Sequence, residues 1–272
     1  VADATSSTPQ RRRTRVNGLA VLGFGLLALL AICALFAPWI APYDPNAQDY
    51  RAVLQAPSAT HWLGTDHTGR DMLSRLIHGS RVALGIGFTA IGVAVLIGGL
   101  FGLVAGYARG LLEEAIMRVM DALLAFPSVL LALGIMAALG PGITTIIIAI
   151  AIADMPMFAR ITRSQVLSVR ERDFVVATRA LGAGPLRIIF RHILPHITGP
   201  VAVMATIAVG HAILTEAALS FLGLGIQPPT SSWGAMMRNG FSYMERAPWL
   251  AAFTGLSILL TVLALNLAGD VL

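Results

Sequence analysis

The chain has 272 residues, 56% of them hydrophobic and 12% charged, with a formal net charge of +5. A soluble domain carries about 25% charged residues, so the composition excludes an ordinary soluble protein. It describes an integral membrane protein with little room for a separate soluble domain. All 19 basic residues are arginines, so the Gly-Lys-Ser/Thr loop that neutralises nucleotide phosphates cannot be built, and the chain does not bind ATP that way.

Residues 1–15 read as a cytoplasmic tail. Arg11, Arg12, Arg13 and Arg15 precede an apolar run from Gly18 to Trp39. The run is longer than a signal-peptide core and long enough for ~30 Å of hydrocarbon, so it reads as a retained first span with its N-terminus inside. Pro38, Pro42 and Pro45 end it, and Trp39 and Tyr43 suit a membrane interface. Cys33, within this run, is the only cysteine and has no partner for an internal disulfide.

An extracytoplasmic loop then carries the stretch "HWLGTDHTGRDMLSRLIH", residues 61–78. Gly64 and Gly69 are placed at bends, and Asp66 is placed to cap a helix starting near Gly69. Met72, Leu73, Leu76 and Ile77 face one way and Arg70, Arg75 and His78 another, which predicts a helix lying on the outer membrane surface. The spacings of His61, His67 and His78 match no standard metal site, so no metal is expected.

The second span runs from Val82 to Tyr107 without a charge. Its Gly98, Gly102 and Gly106 form a smooth stripe that lets another helix approach closely. The third runs from near Ala115 to the break at Gly140–Gly142, and the fourth from there to Phe158. Ionisable groups at such depths are costly and usually paired. Arg118 and Asp121, three apart, are expected to pair with each other. Asp154, just before Pro156, either sits at the interface or caps a broken helix. The fifth span runs from Thr198 to Thr215 and the sixth from Trp249 to Ala268. Between them, "SFLGLGIQPP" is apolar but too broken to span and reads as a re-entrant or surface element. Trp233 and Trp249 are expected at the outer interface. Six spans put both termini on one side. Thirteen arginines fall on that side and six on the other, which places both ends in the cytoplasm.

Residues 171–196, "ERDFVVATRALGAGPLRIIFRHILPH", interrupt this apolar pattern. Phe174, Ala177/Thr178 and Leu181 share one helical face. Glu171 and Asp173 begin that helix, Arg179 lies near its end, and Gly182 is a natural residue to follow it. Pro185 restarts the chain, with Leu186, Ile189, Phe190 and Ile193 on one face of a second helix that Leu194–Pro195 closes. The first helix is too short to be stable alone in water, so its apolar face needs a cover. That cover is either anionic lipid or the groove of a cytoplasmic partner.

The stretch "DFVVATRALGAGPLRIIFRHILP" resembles the cytoplasmic loop of binding-protein-dependent ABC importer permeases. Ala177, Gly182, Leu194 and Pro195 fall in register with that family's pattern, whereas Val176 stands where a glutamate is usual and Thr178 where an alanine is. Residues 61–87, 121–132 and 216–234 are similar to segments of the dipeptide/oligopeptide/nickel permease family, and the resemblance covers about residues 16–270.

The resemblance implies an all-α, six-helix permease of the type I importer fold in the bacterial inner membrane. It divides the chain into a tail (1–15), a first helix with its outer loop (16–80) and a five-helix core (81–272), the core carrying a coupling loop at about 161–197. It implies partners: a second, different permease, two ATPase subunits or domains holding ATP and Mg, a substrate-binding protein and membrane lipid, with no nucleic acid. The chain itself would bind no cofactor and catalyse nothing. The coupling helix would be Asp173, Phe174, Val175, Val176, Ala177, Thr178, Arg179, Ala180, Leu181 and Gly182. The fifth span lines the pore in this family, so Met204, His211 and Glu216 are candidate path residues, with plain structural roles as the alternative. Di- or oligopeptides are the expected cargo, with a nickel chelate, a haem-like or another small molecule as the alternative. A stand-alone secondary carrier would need no coupling loop and would show inverted repeats.

Overall fold

The computed structural model describes residues 18–269, so the basic tail with Arg11, Arg12, Arg13 and Arg15 lies outside them. Among the described residues there are helices and no strand, as the sequence leads one to expect. The first apolar run forms α1 (Gly18–Leu35) and a short α2 (Ala37–Ile40), with Pro38 in the first turn of α2. Trp39 stays exposed past the end of α1.

The outer-loop stretch folds into a polar knot. Asp66 Oδ1 accepts from the Thr68 and Arg70 backbone N–H groups at 2.8 and 3.0 Å, and Oδ2 pairs with Arg70 Nε at 2.7 Å. A Cβ on Gly69 would fall 1.8 Å from the Asp49 carbonyl oxygen, so only glycine fits where this turn crosses the preceding loop. Asp71, not Asp66, caps the helix that follows, accepting from Ser74 N at 2.8 Å while its other oxygen meets His61 Nδ1 at 2.9 Å.

That helix is α3 (Met72–Ala108), 37 residues without a break. At about 1.5 Å per residue it is far longer than ~30 Å of hydrocarbon. The separate surface helix expected at its start does not exist: residues 72–80 are the first turns of α3, buried or half-buried in protein. Arg75 is buried, paired with Asp66 and donating to the Pro45 carbonyl at 2.9 Å, and Met72 and Leu76 are core residues. The expectation failed because the arginines are neutralised by the loop instead of facing water.

The knot carries a pH prediction. Burial raises the pKa of Asp66, but the Thr68 and Arg70 backbone donors and the Arg70 charge outweigh it and hold the carboxyl below its usual value. A lowered folded pKa gives stability that is fully present above the unfolded value, about 3.9, and is lost as pH falls through the folded value. In detergent, Asp66→Asn is expected to lower the melting temperature at pH 6, with the gap to the parent narrowing as pH drops below about 4. Melting curves at stepped pH check this.

The glycine stripe of α3 meets α6 (Ile143–Arg170). A Cβ on Gly98 would lie 2.3 Å from the Met155 carbonyl oxygen, and one on Gly102 2.3 Å from that of Ala159; Gly106 abuts Val166. Residue numbers rise together along the contact, so the two helices run parallel. Between them in sequence, α4 (Gly110–Leu124) and α5 (Ser128–Leu139) form a pair bent by 88°. Pro127, with no N–H to donate, stands at the bend.

Arg118 and Asp121 do not pair with each other. Arg118 takes Glu114 at 2.7 Å, whereas Asp121 is met by Arg160 of α6 at 2.6 Å. Nor does Asp154 cap a broken helix: α6 is continuous through Pro156 and far beyond Phe158.

Past α7 (Asp173–Ala180), the chain runs without interruption from Pro185 to Phe221. It does so as α8 (Pro185–Ile188), a π-helical turn (Ile189–Ile193) and α9 (Leu194–Phe221). Leu194–Pro195 therefore closes nothing. The wider π turn comes just before Pro195, which then occupies the first turn of α9, where its missing N–H is tolerated. The fifth span is thus longer at both ends than its apolar core.

After α9, Leu222–Ser232 is non-helical and leads to α10 (Trp233–Ser242), then α11 (Pro248–Gly269). Trp233 is not at an interface. It is buried, its indole N–H donates to the Leu76 carbonyl at 3.1 Å, and it fills the space beside Gly79.

Among the described residues, four helices are long and apolar enough to cross a membrane, or five if the bent α4–α5 pair counts as one span; α1 contributes a shorter apolar stretch, Val21–Leu35. One large core joins α3, α5, α6, α9, α10 and α11, and a smaller cluster lies at the end of the bundle where the polar insert emerges.

Candidate functional site

The polar insert stands on a built base. Arg170, the last residue of α6, donates through Nη1 to the carbonyls of Gly106 and Tyr107 at 2.9 and 3.0 Å. These carbonyls are left free where α3 ends, so the guanidinium both satisfies them and clamps the two helix ends together. Arg109 reaches Glu171 at 2.8 Å, and Arg163 binds Glu113 through Nε at 2.7 Å. The smaller core lies beneath: Leu103, Val166, Val169, Ile188, Ile193 and Ile197, with Val175 of α7 fully buried among them.

Val175 is therefore the residue that seats α7 on its own chain. The face expected from sequence to need a cover is left open instead. Phe174 is 36% exposed and Leu181 89%, and Val176, on the other side of the helix, is exposed as well. Ala177 and Ala180 are exposed too, as are the cations Arg172, Arg179, Arg187 and Arg191 around them. Phe174 is held at one edge, its ring stacked on His196 at 4.9 Å between centroids. The second insert helix behaves alike. Ile188 and Ile193 are buried, whereas Leu186 and Phe190 point outward.

The end of α7 is fixed by backbone geometry. Gly182 N–H donates to the Arg179 carbonyl at 3.0 Å and Ala183 N–H to that of Thr178 at 3.3 Å, the paired closure that follows a left-handed residue. Gly182 has φ of +83°, and a Cβ there would meet nothing, so the requirement for glycine is conformational and not steric crowding. Gly182→Ala is expected to weaken this terminus by about 1 kcal/mol. The check is hydrogen exchange: faster at the Gly182 and Ala183 amides, unchanged in α3 and α6.

The three candidate path residues lie on α9 but do not converge. Met204 and His211, seven apart, share a helix face; Met204 packs partly against the main core and His211 is exposed. Glu216 is 1% exposed and accepts from Ser220 Oγ at 2.8 Å and Ser232 Oγ at 2.9 Å. Because Ser232 also caps α10, the carboxylate ties α10 to α9. Periodicity reveals neither this tie nor the Arg170 clamp, since the partners lie far apart in sequence. The outer-loop histidines are otherwise engaged: His61 meets Asp71, and the His67 ring stacks on Tyr243 at 5.5 Å.

A parallel glycine-packed helix pair, a long bent span and a short helix left open on a clamped base describe a polytopic helical membrane protein. The chain belongs to the family of binding-protein-dependent transport system inner membrane components, which matches residues 98–272. Residues 10–57 match the N-terminal transmembrane domain of oligopeptide transport permease C. The chain is thus a pore-forming permease subunit of a type I ABC importer, a multi-pass protein of the inner membrane.

It is 48% identical over 260 residues to the di/tripeptide transport system permease protein DppC of Pseudomonas aeruginosa, covering 93% of this chain and 86% of the relative. It is 41% identical over 275 residues to the glutathione transport system permease protein GsiD of Pectobacterium atrosepticum, covering 99% and 91%. Its fold resembles an inward-facing form of the MetNI methionine ABC transporter, with a TM-score of 0.61 at 18% identity over 73% of this chain and 94% of that one.

Proposed function

We propose that the chain is one of two different permease subunits of an ATP-driven importer of di- and oligopeptides, with both termini in the cytoplasm. The second permease completes the pore, two ATPase subunits hold ATP and Mg, and a substrate-binding protein delivers cargo from outside. Six spans result when α1 and the bent α4–α5 pair each cross the bilayer. In this reading Asp173 to Gly182 form the coupling helix, seated in a groove on one ATPase. Residues 81–272, including the coupling loop, act as the moving core, while residues 16–80 frame its outer side.

The observation that carries the reading is the open apolar face of α7. Phe174, Ala177 and Leu181, which share one helix face, are presented on a base that Val175 and Arg170 hold fast. A loose amphipathic segment needs no such clamp, whereas a lever does, because force applied to α7 must reach α3 and α6 through it. Relatives named for dipeptide transport, over nearly the whole chain, support the cargo. Val176 and Thr178 do not weaken the docking surface. Val176 lies on the opposite side of α7 from Phe174 and leaves that face unchanged, and the Thr178 hydroxyl is turned back on the Phe174 carbonyl at 2.7 Å.

Uptake of labelled dipeptide by proteoliposomes holding both permeases and the ATPases, with binding protein and ATP supplied, tests the function. ATP-dependent accumulation is expected. Accumulation without ATP or the ATPases would make the chain a secondary carrier instead.

A further inference from the structure

Carboxylates on the apolar helices are nearly all matched. Glu113 is met by Arg163, Glu114 by Arg118, Asp121 by Arg160, and Glu216 by two serines. Asp154 is the exception, having no hydrogen-bond or ion-pair partner among the described residues. It is the twelfth residue of the 28-residue α6, and its neighbour Met155 lies against Gly98, well inside the apolar run of α3. It is half-buried, and neither of its carboxylate oxygens is sealed within the chain.

On α9, which packs against α6, His211 stands within electrostatic reach of Asp154. The His211 ring is exposed, and only its backbone carbonyl is engaged, by Thr215 at 3.0 Å. Met157, one turn along α6 from Asp154, and Met204, two turns along α9 from His211, are both partly buried against the core. The packed pair α6–α9 therefore presents an acid and an imidazole at membrane depth, bordered by flexible thioether side chains.

An open, unmatched carboxylate at that depth is costly against lipid and instead marks a water-lined or ligand-lined path. Its natural ligand is a cation small enough to pass. On the reading that the cargo is a peptide, that cation is the free α-ammonium group. We propose that Asp154, with the His211 ring completing the same polar patch, is a positioning site for the ammonium group of the peptide during its passage.

The test uses the complete importer in proteoliposomes with Ala-Ala as the cargo. Asp154→Asn is expected to lower maximal uptake about tenfold, the worth of a hydrogen bond to a charged group. The concentration of loaded binding protein at half-maximal rate, the basal ATPase rate and the yield of assembled complex should not change. Asp154→Glu, which restores the charge, should recover most of the uptake, as a merely structural role would not. The proposal is overturned if the Asn variant transports like the parent, or if Asn and Glu fail equally. It is also overturned if Asn reduces assembly with the second permease, which would make Asp154 an interface ion pair. Absence of peptide uptake by the unmodified complex is a separate failure, of the cargo reading on which this site depends.

Discussion

Gly102→Ala is expected to destabilise the permease by about 3 kcal/mol, the upper end for overpacking, whereas Gly99→Ala three positions away is expected to be nearly silent. The added methyl at Gly102 would fall 2.3 Å from the Ala159 carbonyl oxygen and 2.8 Å from Thr162 Cβ. Backbone cannot move aside without parting α3 from α6 along the whole stripe, because Gly98 and Gly106 touch the same helix above and below. At Gly99 the nearest atom to a new Cβ is Thr162 Oγ1 at 3.7 Å, an ordinary contact. Thermal unfolding of the two variants in detergent, side by side, reads the difference. Equal melting temperatures would mean that the α3–α6 contact does not hold the bundle together.

The second large effect is functional and leaves the fold alone. Ala177→Glu places a carboxylate on the exposed surface of α7, away from Val175 and the core beneath it. The isolated permease should melt within about 0.5 kcal/mol of the parent, as exposed substitutions do. Buried against an ATPase, the same carboxylate would be an unpaired charge in an interface, costing about 2–5 kcal/mol. Binding-protein-stimulated ATP hydrolysis and peptide uptake should both fall at least about thirtyfold. Insertion and yield of the chain should not change. Val175→Asp is the contrasting variant: it puts a charge into the smaller core, so α7 should lose its seat and its protease resistance together.

These contrasts show which parts of the molecule were legible in its sequence. The glycine stripe was legible because Gly98, Gly102 and Gly106 repeat at the helical interval, and a stripe of missing side chains has one main use in a span. Gly182 was legible because a short helix must end and glycine alone enters the left-handed region without strain. The inward edge of α7 was not, because Val175 and Val176 are equally apolar neighbours. Which of them turns inward is decided by Val166, Val169 and Ile188, which come from other elements.

The outer knot misled for a related reason. Arg70 and Arg75 read as solvent-facing until Asp66 and the Pro45 carbonyl are seen to satisfy them. Likewise, Asp121 has Arg118 close in sequence, yet its partner Arg160 is 39 positions away. Leu194–Pro195 reads as a stop under regular α-helical geometry, and the π turn before it is what lets the helix continue. For Arg75 and Asp121 a partner distant in sequence decides the outcome, and for Leu194–Pro195 a local change of helix type does.

Taken together, the clamp at Arg170, the seat at Val175 and the open face of α7 form a path by which motion of a docked subunit would reach the glycine-packed pair α3–α6. The most direct test places a photo-activatable cross-linker at position 181, where Leu181 is almost fully exposed, and illuminates the assembled importer in membranes. An adduct with an ATPase subunit is expected, diminished in the Ala177→Glu background. An adduct with lipid alone, at full ATPase occupancy of the complex, would show that α7 lies on the membrane and would contradict the docking claim.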